Sequence, residues 1–209
     1  VWRNWARGYA KVATLDRAKN HLVWLAPAPA NNTWVIAVRK SLAEHAHLAT
    51  MSDFARYLNG GGYVYLAASA EFVESPSALP AFERAYGFNL TDRQLLTLSG
   101  GNTSATLRAA AEGMSGVNAA MAYGTDGAIA ALGLVALDDD KEAQIVYAPA
   151  PVVREAVLRD YPQIPGLLDP VFKSLTLAVL QHLNARIAVD GEDAAAVATG
   201  YLKSRRFLP

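Results

Sequence analysis

Trp34 stands in NNTWVIAV, Tyr123 in MAYGTDG and Tyr147 in VYAPAP. Each lies at the end of an apolar, strand-like run, next to asparagine, glycine or proline. None has a histidine, lysine or cysteine partner in its motif. In open α/β sheets, ligands bind beyond the carboxyl ends of strands, where the loops diverge. Aromatic rings placed there without an acid or base suit a ligand that carries positive charge and has no proton to give. A quaternary ammonium group is such a ligand, drawn to ring faces by roughly 0.5 to 2 kcal/mol per ring. Spacing alone leaves the plainer alternative open, that all three rings are ordinary strand or core aromatics.

Other chemistries find less support. G-x-S-x-G, H-E-x-x-H, the P-loop and G-x-G-x-x-G are all absent from the sequence. The histidines are His21, His45, His47 and His182; the HAH pair has i,i+2 spacing, which puts the two rings on different helix faces. The DDD run at 138–140 lacks the spacing and closing glutamate of an EF-hand and reads as a solvated turn. With no cysteine there is no thiolate metal site, no disulfide and no cysteine nucleophile. No metal and no cofactor is expected. Lys plus Arg equals Asp plus Glu at 19 each, which disfavours nucleic acid as a partner.

The elements that must position these rings follow from pattern. Hydrophobic residues make up 52% of the 209, enough for a sizeable core. GAIAALGLVAL, 127–137, is the longest near-apolar stretch and is too short to span a bilayer. A helix is expected over 5–19, strands at HLVWLAP (21–27) and TWVIAVR (33–39), then alternating units. TMSDFARYL carries a capping box in Thr50 and Asp53, YVYLAAS (63–69) is a strand, and LPAFERAYGF (79–88) is a helix closed by Gly87. LLTL, after the TDRQ box, reads as a strand; a helix capped by Asn102 or Thr103 follows. NAAMAY (118–123), VAL (135–137) and QIVYAP (144–149) are read as strands, with a short helix in GAIAALGL. After 150 the pattern is helical throughout. Strand–helix alternation implies a mostly parallel sheet with covering helices.

The tetrapeptide APAP occurs at 26–29 and again at 148–151, bracketing the alternating stretch. Proline fixes φ and removes an amide donor, so both segments are stiff and extended. Taken alone they are adequately explained as strand ends. A two-lobed protein with two hinge crossings is the other reading.

WLAPAPANNTWVIAVR, SAEFVES, LPAFERAYGF, GVNAAMAYGTDGAIAALGL and VYAPAPVVREAVL together resemble the substrate-binding proteins of osmoprotectant ABC transporters, of the glycine betaine, choline and carnitine type. The similarity runs over essentially the whole chain and points to the osmotically inducible periplasmic branch. It implies an α/β, type II periplasmic-binding-protein fold, with two lobes joined by a double hinge. Residues 1–34 and 148–209 would form lobe one, and 35–147 lobe two. It implies a periplasmic protein with no catalytic role, whose partners are a small quaternary ammonium ligand and an ABC transporter permease in the inner membrane. Trp34, Tyr123 and Tyr147 fall on the family's aromatic cage positions, in its N-x-[YW], Y-x-T-D and pre-APVVR motifs, and Asn32 lies beside them.

Two departures from the family pattern stand out. The family's fourth cage tyrosine, in a YTG-type motif, has no counterpart here, and the chain starts with VWRNWARGYAKV. The expectation is a trimmed product in which lobe one lacks its N-terminal part, with an oligomer possible if another chain completes it. Second, the family's E-F-x-x-R-x-D-G segment reads EFVESPSA, which puts Ser75 where a guanidinium grips the ligand carboxylate. The rival reading is an enzyme on the same fold, acting on a small cationic substrate with Asp126 or Glu71 as acid or base. In the GTDG turn, Asp126 is better read as the acceptor that fixes the loop around Tyr123.

Overall fold

The computed structural model describes residues 5–209. Helix α1 (Trp5–Asn20) runs into β1 (Leu22–Trp24) through His21, whose φ of 54° turns the chain. Beyond the first APAP come β2 (Trp34–Arg39), α2 (Lys40–Ala46), α3 (Met51–Asn59), β3 (Leu66–Ser69), α4 (Ala70–Glu74) and α5 (Leu79–Tyr86). The stretch continues with β4 (Leu95–Leu98), α6 (Thr103–Glu112), β5 (Ala119–Tyr123), α7 (Ala128–Ala131) and β6 (Leu134–Ala136). Past the second APAP lie β7 (Val152–Arg154), α8 (Glu155–Asp160), α9 (Ile164–Ser174), α10 (Leu177–Ala188) and α11 (Ala194–Ser204).

Local signals act where expected. Thr50 and Asp53 form a reciprocal capping box at α3, Asn102 caps α6 by accepting from Ser104 N–H, and Gly87 ends α5 with φ 72°. The strands form two sheets. One has five strands in the order β4-β3-β5-β2-β6; the other pairs β1 with β7, antiparallel.

Two expectations need correction. The larger sheet is mixed and not mostly parallel: β3 is parallel to β4 and β5, whereas β2 is antiparallel to both β5 and β6. The chain enters this sheet at β2, opposite the carboxyl end of β5, so Trp34 pairs with Tyr123 and the strand runs back against its neighbours. QIVYAP is not a strand; the last strand is VVR, 152–154. Pro149 and Pro151 have no N–H to donate, and the Tyr147 amide donates to the Asn31 side chain (2.8 Å) in place of a ladder carbonyl.

The larger sheet is buried on both faces, and the faces alternate with period two. Ile36, Val38, Leu66, Ala68 and Met121 face α3, α4 and α5, packing with Met51, Phe54, Phe72 and Phe82. Ala37, Ala67, Ala120 and Ala122 face α6 and α7, against Leu107, Ala110 and Ile129. Thr106 on α6 is also tied to the sheet, its buried hydroxyl donating to Met121 O (2.7 Å). Alanine on that face lets α6 approach closely.

Elsewhere the burial is thin. Outside 36–137, the buried apolar residues among those described are Ala28 and Val197. The two APAP passages run side by side: Leu25 N–H donates to Pro151 O (3.0 Å), Ala28 N–H to Pro149 O (2.8 Å) and Asn32 N–H to Tyr147 O (2.9 Å). Prolines that cannot donate thus still serve as acceptors, and the two connections between the sheets are held as one ribbon.

Candidate aromatic ligand site

Opposition in the β2–β5 register puts Trp34 and Tyr123 face to face, with ring centroids 4.2 Å apart and planes 24° from parallel. Phe72, on the first turn of α4, meets Trp34 edge-on at 5.4 Å. Rings stacked this closely leave no room for a trimethylammonium group between them. Burial pushes the Tyr123 phenol above its ordinary value, with smaller pushes the same way from Glu71, Asp126 and Tyr147. The phenol therefore stays neutral at physiological pH, and the carboxylates add negative potential that favours a cation.

The turn after Tyr123 is fixed as its sequence implies. Asp126 Oδ2 accepts from Tyr123 N–H at 2.9 Å, and Asp126 N–H returns a bond to Tyr123 O at 2.9 Å. Burial raises the Asp126 pKa, and the bond from Tyr123 N–H opposes that rise. Gly124 N–H donates to Thr33 O (2.9 Å), which joins the turn to the first crossing.

Asn32 links the motifs. Its side-chain oxygen accepts from the Thr125 hydroxyl (2.5 Å) and its N–H donates to Tyr147 O (2.9 Å). Beside it, Thr33 Oγ1 donates to Ile145 O at 2.6 Å. Tyr147 itself is 56% exposed. Asn32 and Tyr147 line a cavity of about 470 Å³ together with Trp5, Tyr9, Val12 and Trp24. Its wall is mostly apolar, and its size suits a small organic ligand. The polar ends of two of its rings are occupied: Tyr9 OH donates to Leu25 O, and Trp24 Nε1 donates to Asp16 Oδ2 (2.7 Å). The two rings meet edge to face at 5.3 Å.

The expected residues are therefore brought together in two pairs. Trp34 and Tyr123 stack on each other; Asn32 and Tyr147 open onto the cavity, and Asn32 bonds both motifs. Neither Tyr9 nor Trp24 stands out in the sequence as a site residue, although Trp24 directly precedes the LAPAP run. Tyr9 reads only as one position in an apolar helix face.

Comparison with known proteins shows what this arrangement belongs to. Residues 1–204 match the family described as the substrate-binding domain of the ABC-type glycine betaine transport system. The chain belongs to that family. It is 59% identical over 205 residues to the glycine betaine-binding protein YehZ of Escherichia coli, covering 98% of this chain and 67% of YehZ. It is 32% identical over 209 residues to the glycine-betaine-binding protein of Pseudomonas aeruginosa, covering 97% of this chain and 65% of that one. The chain thus spans about two thirds of the length of the curated relatives it matches. The solved structure of ligand-free YehZ superposes with a TM-score of 0.84 at 58% identity, covering 99% of this chain and 74% of that one. The fold is the type II periplasmic-binding-protein fold. These relatives are named for binding, and the enzymic alternative finds no support among them. No helix among the described residues is long and apolar enough to cross a membrane.

Proposed function

We propose that this binding protein captures a quaternary ammonium osmoprotectant, such as glycine betaine or choline, and delivers it from the periplasm to an ABC transporter permease in the inner membrane. Trp34, Tyr123 and Tyr147 supply the aromatic faces, and Asn32 holds the segments that carry them. Lobe one comprises 1–34 and 148–209, lobe two 35–147, and the paired APAP passages are the hinge. The observation that carries the reading is the Asn32 junction. One side chain and one amide tie the Tyr147 segment and the Tyr123 turn to the strand on which Trp34 stacks. Closure of two lobes about such a ribbon would bring the Tyr147 side of the cavity toward the stacked pair. Ser75, bonded to Ser77 at 3.0 Å, offers hydroxyls where relatives of this type place a guanidinium. Ligands without a carboxylate therefore gain relative to betaines.

The test is calorimetric titration with glycine betaine, choline and N,N-dimethylglycine, repeated with Trp34→Ala. Quaternary ligands should bind, and the substitution should weaken them by about tenfold or more, the loss of one cation–π face. Equal affinity of parent and variant would remove Trp34 from the site.

A further inference from the structure

The turn that carries Tyr123 is held from two sides, and only one of them lies in the motif. On the near side are Thr33 and Asn32. On the far side is α10, some 57 residues further along the chain: Gln181 Nε2 donates to Gly124 O at 2.8 Å. One turn later, Asn184 Nδ2 donates to Thr125 O at 2.9 Å. The two side chains are i,i+3 on one helix face and take consecutive carbonyls of the turn. Contact continues at Gly127, where an added Cβ would lie 2.1 Å from Ala185 N and 2.4 Å from Gln181 O. Helix backbone and turn backbone touch there without a side chain between them. Across the turn, a Cβ on Gly124 would lie 2.5 Å from Asn31 O. The turn is thus a thin slab between the first crossing and α10.

The rest of the contact is packing: α10 has no fully buried residue of its own and lies mainly against α7 and α11. The two amide donors are consequently the directional part of the contact. The donors of the turn are engaged elsewhere: Gly124 N–H on Thr33 O, Tyr123 N–H on Asp126 Oδ2 and Asp126 N–H on Tyr123 O. We infer that Gln181 and Asn184 are positioning residues for ligand binding. They clamp the Gly124–Gly127 turn from α10 and thereby hold the Tyr123 ring in its stack with Trp34. This inference rests on the aromatic-site reading for its effect on ligand, but the clamp itself is a property of the ligand-free protein.

Two measurements test it on the full 209-residue chain. The first is calorimetric titration of choline and glycine betaine into the parent, Gln181→Glu, Asn184→Asp and the double variant, with His182→Gln on the exposed side of α10 as control. A carboxylate keeps the shape of each amide but cannot donate to a carbonyl. Each single variant should weaken both ligands by about fivefold and the double by more than tenfold, the scale of one and two lost hydrogen bonds. The control should bind like the parent, and every variant should keep a single cooperative unfolding transition. Parent-like affinity in the double variant overturns the inference. The second is amide hydrogen exchange without ligand. In the double variant the amides of Tyr123, Gly124 and Asp126 should exchange about tenfold faster while those of β3 do not change. Unchanged exchange at the turn overturns the clamp even if the parent binds no quaternary ligand, an outcome that would sink the aromatic site separately.

Discussion

Trp34 and Asp53 show how much single residues carry in this protein, and for opposite reasons. Trp34 is a strand residue whose value lies in its ring; Trp34→Tyr should keep a stacked face and most of the ligand affinity that Trp34→Ala loses, which fluorescence titration can compare. Asp53 is a capping residue whose value lies in its charge. The bonds from Ala49 and Thr50 amides, and to a smaller degree the Thr50 hydroxyl and Arg56, hold its carboxyl down at about 2, against an ordinary value of 3.8. A depressed folded-state pKa means stability that is fully present above the ordinary value and is lost as pH falls through the folded one. The protein should therefore lose part of its stability between roughly pH 4 and pH 2. Asp53→Ala should flatten that part of the profile and lower stability at neutral pH, because it removes the N3 half of the capping box at α3. Denaturant titrations at a series of pH values would show both effects.

Among the elements, the contact of α10 with the turn before α7 makes the sharpest demand on sequence. Gly127 is required there by the approach of helix backbone and not by its φ, which is an ordinary −66°. Gly127→Ala should destabilise the protein by about 2 kcal/mol or more, since backbone cannot yield as a side-chain tip can. It should also lift α10 from the turn, visible as faster exchange of the α10 amides. The β2–β5 pair makes a second demand. Its alanine-rich α6 face tolerates no enlargement, so Ala120→Leu should be costly where Ala→Ser at exposed Ala130 is not.

For the whole molecule the distribution of buried apolar residues decides the order of opening. Nearly all of them lie within 36–137, under both faces of the five-stranded sheet. The amides of β3 and β5 should exchange at least about a hundredfold more slowly than those of β1 and β7, whose two-stranded pairing has little buried beneath it. A ligand bridging the site should narrow that gap. At a free concentration of about 100 times its Kd it adds roughly 2.7 kcal/mol to the state that binds it. Heating with and without choline, followed by tryptophan fluorescence, reads the sum of these effects.

The sequence by itself determined everything that depends on neighbours within a few residues. The capping box at Thr50, the Gly87 stop, the Asn102 cap and the bond from the Tyr123 amide to Asp126 all close within short segments. Their local chemistry has one good solution. It also carried the family, because MAYGTDG and VYAPAPVVR are long enough to be specific. Pairing across the chain was decided only by tertiary structure. The direction of β2, the failure of QIVYAP to join a ladder and the partnership of the two APAP passages depend on which distant carbonyl is within reach. Tyr9 and Trp24 became cavity walls, and Gln181 and Asn184 became partners of a turn, for the same reason. A side chain's type limits what it can bond or stack against, but only the folded path of the chain chooses which of many equivalent partners lies about 3 Å away.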